Sequence, residues 1–129
     1  MLLSAQSFAD LKGKGLLCVI NQPYDEFWAY EFKKSMKYKA WTLERTGDKI
    51  ELISSKDKIY DMNADNIYVD VAELPVRVSR KTLQVLQGTD YKKGMCIATE
   101  NYKEAIERLK KIRDNLQRDY DTELEGNKI

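Results

Sequence analysis

The stretch KYKAWTLERTGDKIELIS, residues Lys37–Ser54, decides the fold prediction. Apolar and polar residues alternate on both sides of Thr46-Gly47, and a period of two indicates β-strands. A two-residue turn at Thr46-Gly47 predicts a hairpin with complementary cross-strand pairs. These pairs are Arg45–Asp48, Glu44–Lys49, Leu43–Ile50 and Trp41–Leu52. A slip of one residue sets Glu44 against Glu51 instead, so the sequence favours the first register.

Further segments have the apolar or alternating pattern of short strands. They are Leu16–Asn21, Glu26–Lys34, Ile59–Met62, Ile67–Val71 and Leu74–Val78. Pro75 places the last of these at a sheet edge or a strand start. Met95–Ala98 is apolar but too short to classify. Ser4–Lys12 has the pattern of a short helix, and so has the segment from Ser79 to Gln87, which has Ser79 as its cap and Gly88 as its stop.

The C-terminal segment predicts a long amphipathic helix from a cap at Thr99 to about Thr122. Its apolar residues recur at helical spacing: Tyr102, Ala105, Ile106, Leu109, Ile112, Leu116 and Tyr120. Such a stripe is expected to pack on the sheet. It is too short for a coiled coil, and pairing with a second copy of the chain stays open as a route to a homo-oligomer.

The predicted fold class is therefore α+β. It combines a curved antiparallel sheet of about five or six short strands, open or barrel-like, with a short helix and the long C-terminal amphipathic helix. No linker-like stretch divides the chain, so residues 1–122 are expected to form one domain and residues 123–129 a frayed tail.

We expect a cytoplasmic protein from the net charge, the apolar runs, the amino terminus and the cysteines. The formal net charge is +1, and no apolar run approaches the length of a membrane span. The amino terminus lacks the basic start and long apolar run of a secretory signal. Cys18 and Cys96 lie in apolar surroundings and are expected to be reduced core residues.

Most enzyme chemistries are disfavoured because the sequence contains no histidine. Histidine is the commonest general acid-base group and the commonest ligand for transition metals. We therefore expect no catalytic residues, no metal site and no cofactor. A cluster of acidic residues keeps a carboxylate-dependent enzyme as the third hypothesis: Asp57, Asp61, Asp65 and Asp70.

The segment Trp28–Trp41 contains the strongest functional signal. Aromatic residues interleave with lysines, and the charge from Lys33 to Gly47 is five basic minus one acidic residue, or +4. Aromatic rings that stack on bases, next to lysines that attract phosphate, favour a nucleotide or single-strand site. The alternative is a core face of aromatics with solvated lysines. The candidate ligand-binding residues are Trp28, Tyr30, Lys33, Lys34, Lys37, Tyr38 and Lys39.

A second basic cluster predicts a secondary anion site near the start of the expected short helix, where free amide groups also favour anions. Its residues are Arg77, Arg80, Lys81, Lys92 and Lys93. The alternative is a solvated rim around a helix and a loop.

The leading hypothesis is a non-catalytic binding protein that captures an anionic, base-containing ligand, either a nucleotide or a single-stranded nucleic acid. The alternative is a small protein-binding adaptor or inhibitor, of the kind that phages and mobile elements encode as accessory proteins. The two differ in their sensitivity to salt, because phosphate contacts weaken steeply as salt rises.

Overall fold

The computed structural model describes residues 11–21, 24–89 and 91–126. The strands are β1 Gly15–Asn21, β2 Asp25–Lys33, β3 Lys37–Thr46, β4 Lys49–Ser54, β5 Lys58–Ile59, β6 Asp61–Met62, β7 Asn66–Val71, β8 Leu74–Ser79, β9 Gln84–Gln87 and β10 Tyr91–Thr99, and the helix α1 is Tyr102–Gly126. All strands join one antiparallel sheet in the order β4-β3-β2-β1-β10-β9-β8-β7-β6, with β5 on β3. The predicted curved antiparallel sheet with a C-terminal helix is confirmed. The predicted five or six strands are too few, because the described part has ten.

The sheet curls into a half-barrel, and two short strands link its margins. β5 pairs with β3 at Tyr38↔Lys58. β6 pairs with β7 at Met62↔Ile67. Tyr60, between the two short strands, is buried in the interior. The stretch Ile59–Met62, predicted as one strand, therefore bends so that it can pair with both ends of the sheet.

The inner face of the curled sheet forms the larger core. Aromatic rings of β2, β3 and the β5–β6 link meet there, and the ring centroids of Phe32 and Tyr60 lie 5.1 Å apart. Aliphatic side chains from β7 and β8, such as Val69 and Val78, close the opposite side. Because side chains alternate along a strand, the residues that β1, β2, β3, β7 and β8 contribute to this core are spaced two apart.

Helix α1 packs on the outer face of the same sheet. Its Ala105 and Leu109 are fully buried against Leu17 and Ala29 of β1 and β2. The predicted packing of the apolar stripe on the sheet is confirmed. The predicted cap is wrong, because the helix begins at Tyr102 and Asn101 accepts the hydrogen bond that caps it. The N–H of Glu104 donates to Asn101 Oδ1 at 2.9 Å. The helix continues to Gly126, four residues beyond the predicted end.

The predicted register of the β3–β4 hairpin is wrong. Glu44 lies opposite Glu51, and Thr46 opposite Lys49, so Gly47 and Asp48 form the turn. Gly47 has a φ of +62° at the first central position, where a type II′ turn requires glycine. Both glutamates are exposed, so water weakens the like-charge repulsion that favoured the other register.

The predicted short helix from Ser79 to Gln87 is also wrong. Ser79 Oγ accepts the N–H of Thr82 at 3.2 Å, as a helix cap does, and the N–H of Leu83 donates to the Ser79 carbonyl. The chain then leaves the helical path because Leu83 has a φ of +61°. Val85 lies in β9 and pairs with β8 and β10. The other short helix, Ser4–Lys12, lies outside the described residues except for its last two positions, which are not helical.

The expectation of reduced cysteines is wrong. Cys18 on β1 lies directly opposite Cys96 on β10, with the Cα atoms 3.9 Å apart, and the two form a disulfide. The prediction that both cysteines lie in apolar surroundings is confirmed, since both are buried in the inner core. Sequence inspection missed the bond because 78 residues separate the partners and only the β1–β10 pairing brings them together.

Candidate functional site

The main concave region lies where the β7–β8 turn faces β2, β3 and the end of β4. Three cavities there share Ala72 as a lining residue and so adjoin each other. A groove of about 660 Å³ follows the start of β2 and the β3–β4 hairpin. The second, of about 450 Å³, is called the Trp28 cavity here. The third, of about 210 Å³, is called the Lys93 cavity.

Trp28 is the predicted ligand-binding residue that the structure places in this region. Its half-buried indole packs on the inner core and borders both the groove and the Trp28 cavity. The indole Nε1–H donates to Glu26 Oε1 at 3.2 Å, which fixes the ring near the start of β2. A fixed aromatic plane next to a cavity can stack with a planar ligand.

Tyr30 and Tyr38 lie in the core and offer no ring face to a ligand. Each is 1% exposed, and both hydroxyls bond the backbone of Asp70 on β7. The Tyr30 hydroxyl donates to the Asp70 carbonyl at 3.1 Å, and the Asp70 N–H donates to the Tyr38 hydroxyl at 2.9 Å. Burial raises the pKa of the Tyr30 phenol well above its ordinary value, and burial also raises the pKa of Tyr38. These two tyrosines tie β2 and β3 to β7 across the interior.

The predicted lysines do not share a face with Trp28. Lys33, Lys37 and Lys39 occupy the odd-numbered positions of β2 and β3, which face outward, and Lys34 lies in the connecting turn. Lys33 forms an ion pair with Asp57 at 3.0 Å, and this hydrogen bond lowers the pKa of the Asp57 carboxyl. The sheet therefore separates the aromatic and the basic residues of the predicted site.

The lysine patch has an aromatic neighbour of its own. Lys39 Nζ lies 5.7 Å from the centroid of the Trp41 ring, and Trp41 Nε1–H donates to Glu31 at 3.0 Å. One face of this indole is thus already occupied by a lysine of the same strand.

Two lysines that sequence reasoning missed lie in the Trp28 cavity. Lys56 and Lys58 border it together with Trp28, and Lys58 Nζ lies 3.9 Å from a carboxylate oxygen of Asp70. Lys56 is exposed and forms no ion pair within the described part of the chain. Lys56 lies between β4 and β5, and Lys58 is the first residue of β5. Only the pairing of β5 with β3 shows that they border the same cavity as an indole of β2.

The β7–β8 turn, which contributes lining residues to these cavities, has a strained backbone. Ala72 and Glu73 are the two central residues between β7 and β8, and their φ values are +47° and +70°. Turns with two positive φ values normally contain Asn-Gly, because a Cβ atom clashes in this conformation. Strained backbone is common at functional sites, so this turn is one supporting feature of the region, although Ser35 and Met36 between β2 and β3 also both have positive φ values.

The residues of the predicted secondary anion site do not converge. Arg77 donates to the carbonyls of Gly88 and Thr89, and Arg80 donates to the Asn63 carbonyl at 2.9 Å. Helical amide groups are absent because the expected helix does not form. Lys81 and Lys92 are exposed on different elements, and Lys93 is buried on the inner side of the sheet.

A separate feature is the part of the outer face that α1 does not cover. Met95 and Ile97 on β10 are 43% and 44% exposed, although their neighbour Cys96 is buried. Leu86 on β9 and Tyr68 on β7 lie on the same face, with Arg77 of β8 between them, and all three line a shallow cavity of about 220 Å³. Within the described residues no element covers this half of the face.

The described residues contain no group of three or more acidic, cysteine or histidine side chains that could hold a metal ion. The helix in this part of the chain is not long and apolar enough to cross a membrane. Comparison with known proteins finds no matching protein family, curated protein or solved structure.

Proposed function

We propose that this protein is a non-catalytic binding protein that captures a nucleotide or a single-stranded nucleic acid in the Trp28 cavity. The observation that carries the proposal is the position of Trp28, whose indole borders a cavity of about 450 Å³ together with Lys56 and Lys58. An aromatic plane next to ammonium groups is the combination that binds a base and its phosphate.

The size and walls of the cavity support a ligand of this class. Small-molecule sites usually have volumes of about 300–1,000 Å³, so the Trp28 cavity falls in the range for a mononucleotide. Ser55 adds a hydroxyl to the lining, and Ala40 leaves room beside the indole. The groove of about 660 Å³ continues past Trp28 and offers space for further nucleotides.

The charge of the cavity predicts moderate affinity. Lys58 is already close to Asp70, and Glu73 also lines the wall, so Lys56 is the cation with no carboxylate partner in the described residues. For each tenfold rise in salt concentration, the logarithm of the binding constant falls by about 0.7 per phosphate contact. The Trp28 cavity offers one or two such contacts. We therefore expect shallow salt dependence.

The test uses tryptophan fluorescence. The sequence contains two tryptophans, so Trp41→Phe leaves Trp28 as the sole emitter. Adding AMP or a short oligonucleotide at low salt is expected to quench Trp28, because a stacked base quenches indole emission. The absence of quenching, together with no binding by calorimetry, would contradict the proposal.

Paired lysine variants locate the site. Lys56→Gln with Lys58→Gln should weaken binding roughly tenfold, since each removes a charged contact. The matched control is Lys34→Gln with Lys37→Gln, which removes two exposed lysines of the originally predicted set. The opposite result, with binding lost only in the control, would move the site to the outer lysine patch and overturn the assignment to the Trp28 cavity.

A second candidate function is binding of a protein partner, favoured by the exposed Met95 and Ile97. Exposed apolar surface of this kind is typical of interaction sites. Native mass spectrometry of the protein from its host is expected to show a partner that Met95→Asp with Ile97→Asp releases. Ile59→Asp is the control, because Ile59 is exposed on β5, at the linked margin of the sheet, and should leave the complex intact. Equal loss in both variants would contradict this candidate.

A further inference from the structure

Lys93 has an unusual position in the sheet. The β9–β10 register shifts between Lys92 and Gly94, so Lys93 is the extra residue of a β-bulge. A Cβ atom on Gly94 would lie 2.0 Å from the Val19 carbonyl oxygen, so only glycine allows this close approach of β10 to β1. Bulges redirect side chains, and here Lys93 lines a cavity on the inner side of the sheet.

The side chain of Lys93 is buried without a polar partner. It is 6% exposed, which is rare for a lysine. Its ammonium forms no hydrogen bond or ion pair with the described residues, and the contact recorded for it is with the Tyr91 ring, 5.5 Å from the centroid. Glu26 lines the same cavity but lies too far away for an ion pair. The buried part is the aliphatic stem, and the ammonium keeps contact with solvent, because no buried side-chain nitrogen of the described residues lacks a hydrogen-bond partner. A bound carboxylate would give this ammonium an ionic partner.

The other described residues that line the Lys93 cavity are apolar. They are Ile20, Val71, Ala72, Leu74 and Val76. The volume of about 210 Å³ equals that of about seven water molecules at about 30 Å³ each, so a ligand of about seven or eight non-hydrogen atoms fits. A ligand that fits must therefore be short, mostly aliphatic and charged at one end.

We infer that the Lys93 cavity binds a small monocarboxylate with a short aliphatic chain, with the carboxylate on Lys93 and the chain against Val71 and Val76. A single ammonium matches a single negative charge. A phosphate dianion fits poorly, because Lys93 is the one cation among the described lining residues and Glu26, which lines the same cavity, repels a second negative charge. The inference does not depend on nucleotide binding, since neither Trp28 nor Lys56 lines this cavity.

The probe is hexanoate, with hexanamide as a neutral molecule of the same shape. Methyl NMR of the wild-type protein should show hexanoate shifting the signals of Ile20, Val71 and Val76. Hexanamide should bind roughly tenfold or more weakly, because it lacks the charge-assisted contact. Equal shifts with both probes, or no shifts at these methyl groups, would overturn the inference even if no variant folds.

Three variants complete the test. Lys93→Met keeps the length of the buried stem and should weaken hexanoate binding about tenfold or more. Lys92→Met changes the exposed neighbour and should leave binding within about twofold. Glu26→Gln should strengthen binding, because it removes a negative charge from the rim. Unchanged binding in Lys93→Met, or weaker binding in Glu26→Gln, would show that Lys93 does not hold the carboxylate.

Discussion

Gln117 on the C-terminal helix holds the backbone of Ile50 at the β3–β4 turn. The Ile50 N–H donates to Gln117 Oε1 at 2.7 Å, and Gln117 Nε2 donates to the carbonyl of Asp48 at 2.8 Å. One amide side chain thus satisfies a donor and an acceptor of the turn. This contact favours the observed register together with Gly47, which occupies the turn position that requires glycine.

Replacing Gln117 should therefore destabilise the hairpin. Gln117→Ala removes both hydrogen bonds and is expected to lower the free energy of unfolding by about 1–2 kcal/mol. Chemical denaturation measures the change. Arg118→Ala, at an exposed position of the same helix, is the control and should change stability by less than about 0.5 kcal/mol. Equal effects would show that the turn does not depend on the helix.

The sequence predicted the type of most elements but not how they pair. Alternation identified β2, β3 and β4 because each has one buried and one more exposed face. The predicted hairpin register is wrong in part because the observed one is held by a contact between Ile50 and Gln117, which lie 67 residues apart along the chain. The sequence predicts a helix over β9 because Ser79 does form a helix-cap hydrogen bond, and no local signal indicates that the chain leaves the helical path after one turn, at Leu83.

The Cys18–Cys96 bond predicts sensitivity to reduction. The cysteines are 78 residues apart, and closing a loop of that length stabilises a protein by about 4 kcal/mol in the chain-entropy estimate. Reduction should lower the midpoint of denaturation in the wild type. The double variant Cys18→Ala, Cys96→Ala should have a lower midpoint of denaturation without reductant, and adding reductant should not change that midpoint. A wild type that is indifferent to reductant would show that the bond contributes nothing to stability.

The helix stripe contains a matched pair of leucines. Leu109 is 0% exposed against β1 and β2, whereas Leu116 is 37% exposed. Leu109→Ala should cost about 2–5 kcal/mol, the usual loss for a buried leucine, and Leu116→Ala should cost clearly less. Thermal unfolding of both variants tests this. If Leu116→Ala changes the sedimentation coefficient, the exposed end of the stripe joins a second copy, as the sequence allowed.

Buried tyrosines predict alkaline unfolding. Burial raises the pKa of Tyr30 in the folded protein above its ordinary value of 10.0. The folded state then holds the phenolic proton more tightly than the unfolded state, so stability is intact below about pH 10 and falls as pH rises further. Urea unfolding at pH 8 and above pH 10 measures the difference.

Tyr30→Phe separates this effect from general alkaline damage. The variant loses the bond to the Asp70 carbonyl, at a cost of about 1 kcal/mol at pH 8, but should lose less additional stability above pH 10. The exposed Tyr24→Phe is the control and should follow the wild type at both pH values. If Tyr30→Phe declines as steeply as the wild type, another group causes the alkaline loss.

The candidate site was only partly visible in the sequence. Trp28 was among the predicted residues, and the structure places it at a cavity. Aromatic residues occur on both faces of the strands, however, with Trp41 outward and Tyr30 inward, so alternation alone could not tell site from core. Lys56 reaches its cavity through a strand pairing and has no sequence signal that distinguishes it from surface lysines. Lys93 was among the residues of the predicted secondary anion site, but the bulge that turns it into a cavity, away from the other residues of that set, has no sequence signal.

The strained turn at the cavities supplies the last prediction, through a matched pair of alanines. Ala72 has a φ of +47°, while the exposed Ala64, in the turn before β7, has no positive φ. Glycine relieves the strain at position 72, so Ala72→Gly should raise the free energy of unfolding by about 1 kcal/mol. At Ala64 glycine only adds entropy to the unfolded chain, so Ala64→Gly should lower it by about 0.5–1 kcal/mol. Opposite signs in chemical denaturation are the expected result. Destabilisation by both would mean that Ala72 carries no strain, and it would remove the turn as support for placing the binding site beside it.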